Sequence, residues 1–288
     1  MRRVPMPFSC DLALARRLEA METFCSVDTS RTVAKLHPEI PAAAESIAGG
    51  WAVFTGIGSP ISEARGLGMR GPVTEADMDR LEAFYHSRGD SIRIEVCPLA
   101  DPSLHQLLAA RGYRLMEFSN MLARPLAPKD KGGMDIPKRR IRGRESQTRR
   151  AHVSTRMAKP PESPFWADTV ARCFAGQVEI TQELINVVSC WAHSRIGVCY
   201  FGLVGDEVAG GATVAVHAGV ALLGGAGTMA RFRNRGVQQA LIAARLRHAA
   251  RAGCSLAMTV ALPGSGSQRN CERFGFRVAY TRAKFILD

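Results

Sequence analysis

The chain of 288 residues has no CxxC pair. Its eight cysteines, at positions 10, 25, 97, 173, 190, 199, 254 and 271, lie scattered without zinc-like spacing, which argues against a metal site and suits reduced thiols in the cytoplasm. His193 and His217 have no partner at ligand spacing, so no metal is expected. The basic start MRRVPMPFSCDLALARR lacks the apolar core of a signal peptide. One uncharged run, Val208 to Thr228, has the length of a membrane span, but it is glycine-rich and broken at His217 and Gly219. It reads as two buried strands joined by a tight turn, and no membrane association is expected. Aromatic residues are missing from the most basic segment, 138–150 (KRRIRGRESQTRR), which removes the stacking partners that a nucleic-acid interface uses. Acidic residues are absent from 208–230, so no carboxylate base sits on those strands, and absent again from 230–253, which holds six arginines.

What is present starts from charge. The net charge of +12 belongs to the segments 138–150 and 231–251; the rest of the chain is balanced. The length suffices for one large domain or two ordinary ones, and an internal repeat decides for two. RGDSIRIEV (88–96) aligns with AGCSLAMTV (252–260), and RGYRLMEFSNML (111–122) with FGFRVAYTRAKF (274–285), at offsets of 164 and 163. Each copy reads as helix, glycine, strand, proline-containing turn, short helix, then glycine-aromatic-arginine opening another strand. The expected organisation is a domain at 1–125, a basic linker at 126–150 and a second domain at 151–288.

The copies differ at one helix entry. In the first, GMRGPVTEADMDRL offers Thr74 as N-cap with Asp77 completing a capping box, and Glu75, Asp77 and Asp79 fill the first turns with negative charge. In the second, Arg231, Arg233, Arg235 and Gly236 open an apolar-faced helix (Val237, Leu241, Ile242, Leu246, Ala249) that runs to about Arg251. A strand, a glycine turn and a helix N-terminus present free N–H groups and a positive dipole end to an anion such as diphosphate. Ser163 is expected to cap a helix starting at Pro164, Thr181 to open another, and Ser265 with Gln268 to form a capping box on the last helix, which Gly275 stops. GGAGTMA (224–230) mimics a dinucleotide fingerprint, but no helix follows, and Arg245 and Arg247 stand where an acidic ribose ligand is expected. Its glycines suit a bulge or a close approach instead.

The element order, with RNRGVQ between strand and helix and then PGSGSQRNCERFGF, resembles the GNAT family of acetyl-CoA-dependent N-acetyltransferases. The family signature Gln/Arg-x-x-Gly-x-Gly/Ala is met at Arg233 and Gly236 and departs at Gln238. The resemblance covers roughly 150–288, with the first copy a degenerate relative. It implies an α+β fold of two GNAT-like domains, each a mixed, largely antiparallel sheet flanked by helices. It implies acetyl-CoA as co-substrate, with Thr228 and Met229 on the pantetheine arm and Arg233, Asn234, Arg235, Gly236, Val237 and Gln238 around the diphosphate. The Met229 N–H would also hold the oxyanion, and Asn270 would turn toward the cofactor with Arg273 on the same helix face. Cys271 stands where many members carry the tyrosine that reprotonates the thiolate; Tyr280 is a second candidate acid. Glu179 and Glu183 lie near the helices that shape the acceptor pocket and are candidate bases. The alternatives are a packed cysteine, a strand aromatic, solvated helix-end acids and proton loss through water.

The expected function is transfer of the acetyl group of acetyl-CoA to a primary amine on a small molecule or peptide, by a monomer or a homodimer. A catalytically silent CoA-binding module is the alternative, and a basic nucleic-acid binder a weaker one.

Overall fold

The computed structural model describes residues 9–132, 152–174, 180 and 182–288. In chain order the elements begin with α1 (Leu12–Leu36), β1 (Ala43–Ile47), β2 (Gly50–Phe54), β3 (Glu63–Arg65), α2 (Glu75–His86), β4 (Ile92–Val96), α3 (Pro102–Ala110) and β5 (Arg114–Pro125). The second copy follows with β6 (Val153–Met157), α4 (Ser163–Cys173), α5 (Gln182–His193), β7 (Gly197–Val204), β8 (Glu207–His217), β9 (Val220–Thr228), α6 (Val237–Arg251), β10 (Leu256–Ala261), α7 (Gly266–Arg273) and β11 (Arg277–Leu287). Among the described residues no helix is long and apolar enough to cross a membrane. The uncharged run 208–228 is the hairpin β8–β9. Its two turn residues, Ala218 and Gly219, both have positive φ (45° and 73°), as a two-residue hairpin turn requires.

The repeat is written in the backbone. Gly89 and Gly253 have φ of 67° and 79°, and Gly112 and Gly275 have φ of 78° and 83°. Each left-handed glycine ends a helix in the same way. Cys254 N–H bonds to Ala249 O at 3.0 Å as Asp90 N–H bonds to Tyr85 O at 3.3 Å. Phe276 N–H bonds to Cys271 O at 3.2 Å as Tyr113 N–H bonds to Leu108 O at 3.0 Å. Equivalent elements therefore stop and turn alike although few side chains are shared.

The compact units are not divided where the repeat divides. One unit holds the described residues up to Ser30, Pro41–Arg124 and Met258–Asp288; the other holds Arg31–Ile40 and the described residues of 125–257. The expected domain limits, 1–125 and 151–288, separate the copies in sequence, but α7 and β11 of the second copy belong to the first unit. There β11 pairs antiparallel with β4 on one side (Ile286 opposite Arg93) and with β5, its own counterpart, on the other (Arg277 opposite Ala123). Strands β3 and β4 are parallel, Ala64 opposite Ile94, and β1, β2 and β3 are joined antiparallel. Of the expected linker, Pro128–Lys131 form a 3₁₀ turn, and the basic run 138–150 lies outside the described residues.

In the second unit β6, β7, β8 and β9 are joined antiparallel in sequence order. Helices α4 and α5 cover one face, where Trp166, Val170, Val188 and Phe201 form a core. Helix α6 lies on the other face, its Val237, Leu241, Ile242, Leu246 and Ala249 all buried as its periodicity requires. Ser163 is not a cap. A 3₁₀ turn at Pro160–Glu162 runs straight into α4, so Ser163 already has helical φ and its hydroxyl bonds to Ala192 O at 3.3 Å instead. Thr181 lies outside the described residues. Ser265 caps α7 by accepting from Gln268 N at 3.1 Å, but only half a capping box forms, because the Gln268 side chain accepts from Gly264 N at 2.8 Å.

Candidate active site

The entry to α6 is bare. Its N-cap, Gly236, has φ of 96° and no side-chain cap, and the first turn holds no acid. Asn234, two residues before, also has positive φ (62°). Two left-handed residues flanking Arg235 make the kind of concave backbone that holds anions. Among the described residues none accepts a hydrogen bond from the N–H groups of 234–239; the first α-type bond is Ala240 N–H to Gly236 O at 3.0 Å. Donors at a helix N-terminus without acceptors are what a diphosphate would occupy.

The arginines around this turn differ. Arg231 pairs with Glu207 at 3.2 Å and lies over the Phe232 ring. Arg233 reaches back to Thr228 O and Cys173 O, both at 3.4 Å, so it braces the turn. Arg235 is exposed, its guanidinium 5.7 Å from the centre of the Phe232 ring. Gln238, where the family signature has Gly or Ala, sends its amide to Thr228 Oγ1 at 3.1 Å and ties the helix start to the strand end.

The equivalent entry to α2 is filled. Thr74 and Asp77 form the complete capping box, and Arg111 bonds to Glu75 and, at 2.8 Å and 3.0 Å, to Asp79 and Glu82. Carboxylates occupy the dipole of one copy and none occupies that of the other.

Strand β9 reaches the turn through a bulge. Gly211 stands opposite Gly227 and Thr213 opposite Gly224, which leaves one residue on β8 (Ala212) against two on β9 (Gly225 and Ala226). Gly225 has φ of 50°, and a Cβ there would lie 2.7 Å from the Trp191 ring, so the bulge requires glycine twice over. Arg245 of α6, buried to 2 % exposure, clamps this bulge by donating to Thr213 O and Gly224 O, both at 3.1 Å, and to Leu241 O at 3.1 Å. In the sequence Arg245 counts only against a ribose ligand. The available signal was its place on the apolar stripe, four residues from both Leu241 and Ala249.

Two expected roles, the Met229 oxyanion donor and the Tyr280 acid, do not survive the geometry. Met229 N–H already bonds to Ala209 O at 2.9 Å, because strand pairing continues past Thr228; it is not free to receive an oxyanion. The Tyr280 hydroxyl donates to Glu19 Oε1 at 2.7 Å inside the first unit, among Glu22, Glu63, Arg65, Glu95, Arg282 and Lys284. Burial and the Glu19 carboxylate raise its pKa, which unfits it as a proton donor. Cys271 is the buried residue of α7. Asn270 and Arg273 bond to each other at 2.7 Å on that helix. Glu183 lies in the first turn of α5, and Glu179 lies outside the described residues.

A family model described as "Acetyltransferase (GNAT) family" matches residues 164–276, which span α4 to the start of β11. Residues 164–276 are a GNAT acetyltransferase domain. The whole chain has the fold of tandem GNAT proteins. A GCN5-related N-acetyltransferase from Kribbella flavida superposes with a TM-score of 0.59 at 16 % identity, over 90 % of this chain and 95 % of that one. A tandem GNAT protein from the clavulanic acid biosynthesis pathway gives 0.57 at 13 % identity, over 95 % and 94 %. A functionally unknown protein from Staphylococcus epidermidis gives 0.56 at 9 % identity, over 86 % and 94 %. No curated protein matches the sequence. The uncapped turn Arg233–Gln238 and the bulged strand β9 both lie within the GNAT match.

Proposed function

We propose that the chain transfers the acetyl group of acetyl-CoA to a primary amine of a small molecule or peptide. The observation that carries this reading is the α6 entry: N–H groups without acceptors among the described residues, a left-handed Gly236, no first-turn acid, and arginines at 231, 233 and 235. The residues present fit a diphosphate, which would receive the N–H groups of 235–238 and the positive end of the α6 dipole. Acetyl-CoA supplies the thioester. The amine nitrogen bonds to the acetyl carbon, the carbon–sulfur bond breaks, the sulfur leaves with the electron pair and is protonated, and the amine loses one proton to give the amide. Strands β8 and β9 carry no carboxylate beyond Glu207 at the very start, so the amine proton passes to water or to an acid outside these strands, Glu179 and Glu183 being the candidates.

A second reading, a CoA-binding module without turnover, is favoured by the engagement of Met229 N–H and Tyr280 elsewhere. Two measurements in sequence test both readings. Thermal unfolding with CoA, dephospho-CoA and adenosine is expected to rise with CoA and not with adenosine; ligand at about a hundred times its Kd adds on the order of 2.7 kcal/mol. Thiol release from acetyl-CoA over a panel of primary amines then identifies an enzyme. Binding without release supports the silent module, and no shift with CoA removes both. Gly236→Ala is the control. A Cβ there has room, 3.8 Å from the nearest atom, but φ of 96° strains any side chain. A loss of about 1 kcal/mol of stability and at least tenfold in CoA affinity is expected.

A further inference from the structure

At the opposite end of α6 the second unit contains a cavity of about 620 Å³, walled by the C-terminal turns of that helix and by β6 and β7. This is within the size range of small-molecule sites. Tyr200, Met157 and Ala244 give it a partly apolar wall, and Arg247, His248 and Arg251 line the helix side. Arg247 begins eleven residues beyond Gly236, about 16 Å along a helix axis, so this cavity is not the turn at the α6 entry.

Its charge is one-sided. Arg247 and Arg251 are four residues apart and share a helix face, where like charges repel. Among the described residues no carboxylate pairs with either; Arg251 donates only Nε, to Lys131 O at 3.3 Å. Arg156 also borders the cavity, but Glu162 takes both its Nη groups, at 2.8 Å and 2.7 Å, and its guanidinium lies over the Phe201 ring. Successive strand residues face opposite ways, so Arg156 and Phe201 look to the α4 side while Met157 and Tyr200 look to α6. The Tyr200 hydroxyl and His248 Nδ1 are bonded to each other at 3.0 Å, which fixes both rings in the wall. Burial lowers the His248 pKa, so the ring adds no charge near neutrality. Among the described residues, two guanidinium charges therefore remain without a counter-ion. A cation in the last turn of a helix complements the dipole, but that does not explain a second one on the same face of a cavity of this volume.

We propose that this cavity is a second, separate ligand site for a small organic phosphomonoester of about mononucleotide size, held by Arg247 and Arg251 with its organic part against Met157, Tyr200 and Ala244. A phosphomonoester carries close to two negative charges at neutral pH, which two guanidiniums balance. Guanidinium also matches phosphate oxygens two at a time. The proposal does not rest on acetyl transfer: it stands or falls on the far end of α6.

Titration calorimetry on the full chain, with AMP and glycerol 2-phosphate as probes and adenosine as the uncharged control, tests it. Saturable one-to-one binding of AMP or glycerol 2-phosphate is expected, at least tenfold tighter for AMP than for adenosine. In R247A/R251A the binding weakens at least tenfold, while far-UV circular dichroism and CoA binding stay as in the parent. R251A alone, at an exposed position, serves if the double variant does not fold. Absence of saturable phosphate binding, or binding undiminished in the variants, overturns the proposal. So does AMP binding that CoA displaces or that G236A abolishes, because the phosphate then sits at the α6 entry. A single-stranded RNA oligomer bound by the parent and lost in the variants, with no AMP binding, overturns it in favour of a nucleic-acid surface.

Discussion

Arg245 does a different job from the arginines around it. A bulge leaves ladder carbonyls without strand partners, and an arginine with several donors satisfies two of them, Thr213 O and Gly224 O, from one buried side chain. Arg245→Met keeps the length and the apolar packing and removes every donor. Each buried carbonyl left unpaired costs about 1–3 kcal/mol, so a loss of about 2 kcal/mol or more is expected in urea unfolding. Arg245→Lys has too few donors in the right geometry and should restore less than half of the loss. Full stability in Arg245→Met would mean that the bulge holds without the clamp. Gly236, by contrast, contributes only a backbone conformation, and its substitution is read in ligand affinity more than in contacts.

At the scale of elements, α2 and α6 are the same helix put to opposite uses. The first turn of α2 carries Glu75 and Asp77 and is capped on both sides by Thr74 and Asp77; α6 carries neither acid nor cap. A helix left in that condition gives up about 1 kcal/mol of capping energy and a few tenths more of dipole complement. Gln239→Glu tests this directly, since an N3 carboxylate complements the dipole. It is expected to raise stability by about 0.3–1 kcal/mol and to weaken CoA binding by repulsion. Thermal unfolding reads the first effect and calorimetry with CoA the second. A gain in stability with unchanged CoA affinity would remove the diphosphate from the α6 entry.

At the scale of the whole molecule, the first unit buries an ion cluster built from both ends of the chain. Arg282 of β11 bonds to Glu22 at 2.5 Å and to Glu95 at 2.7 Å, and Lys284 to Glu63 at 3.0 Å. Burial outweighs these cations at Glu95 and raises its pKa to about 7 from 4.5. The folded state then binds a proton that the unfolded state has released, so stability falls as pH rises from about 4.5 to about 7 and levels off above. Glu19 is raised by burial in the same sense. Glu22 and Glu63 are held low by Arg282 and Arg65, and their contribution is lost only below the ordinary carboxylate pKa. Glu95→Gln should flatten the fall between pH 5 and 7 in urea titrations; an unchanged slope would assign it to Glu19. Because β11 fills the space between β4 and β5 in pairing, a fragment of residues 1–125 lacks a strand and two of the three cluster cations, Arg282 and Lys284. It is expected to aggregate or stay unfolded by circular dichroism and gel filtration, whereas a folded monomer would show that the first copy completes its own sheet.

The sequence by itself determined whatever is settled within a few residues. The two glycine-ended helices of each copy, the Thr74–Asp77 box, the β8–β9 hairpin at Ala218-Gly219 and the bare entry at Gly236 all depend on hydrogen bonds and φ angles local to the chain. The tertiary structure alone decided what depends on distant partners. Tyr280 meets Glu19 across 261 residues of sequence, which turns a candidate acid into part of a buried ion cluster. Met229 gives its N–H to Ala209 because β8 happens to continue beside it, and Arg245 finds the bulge that β8 and β9 make together. Periodicity marks which face of a helix or strand is buried, but it does not say which other strand will lie there. That choice is made by packing, and here it carried the last strand of the second copy into the sheet of the first.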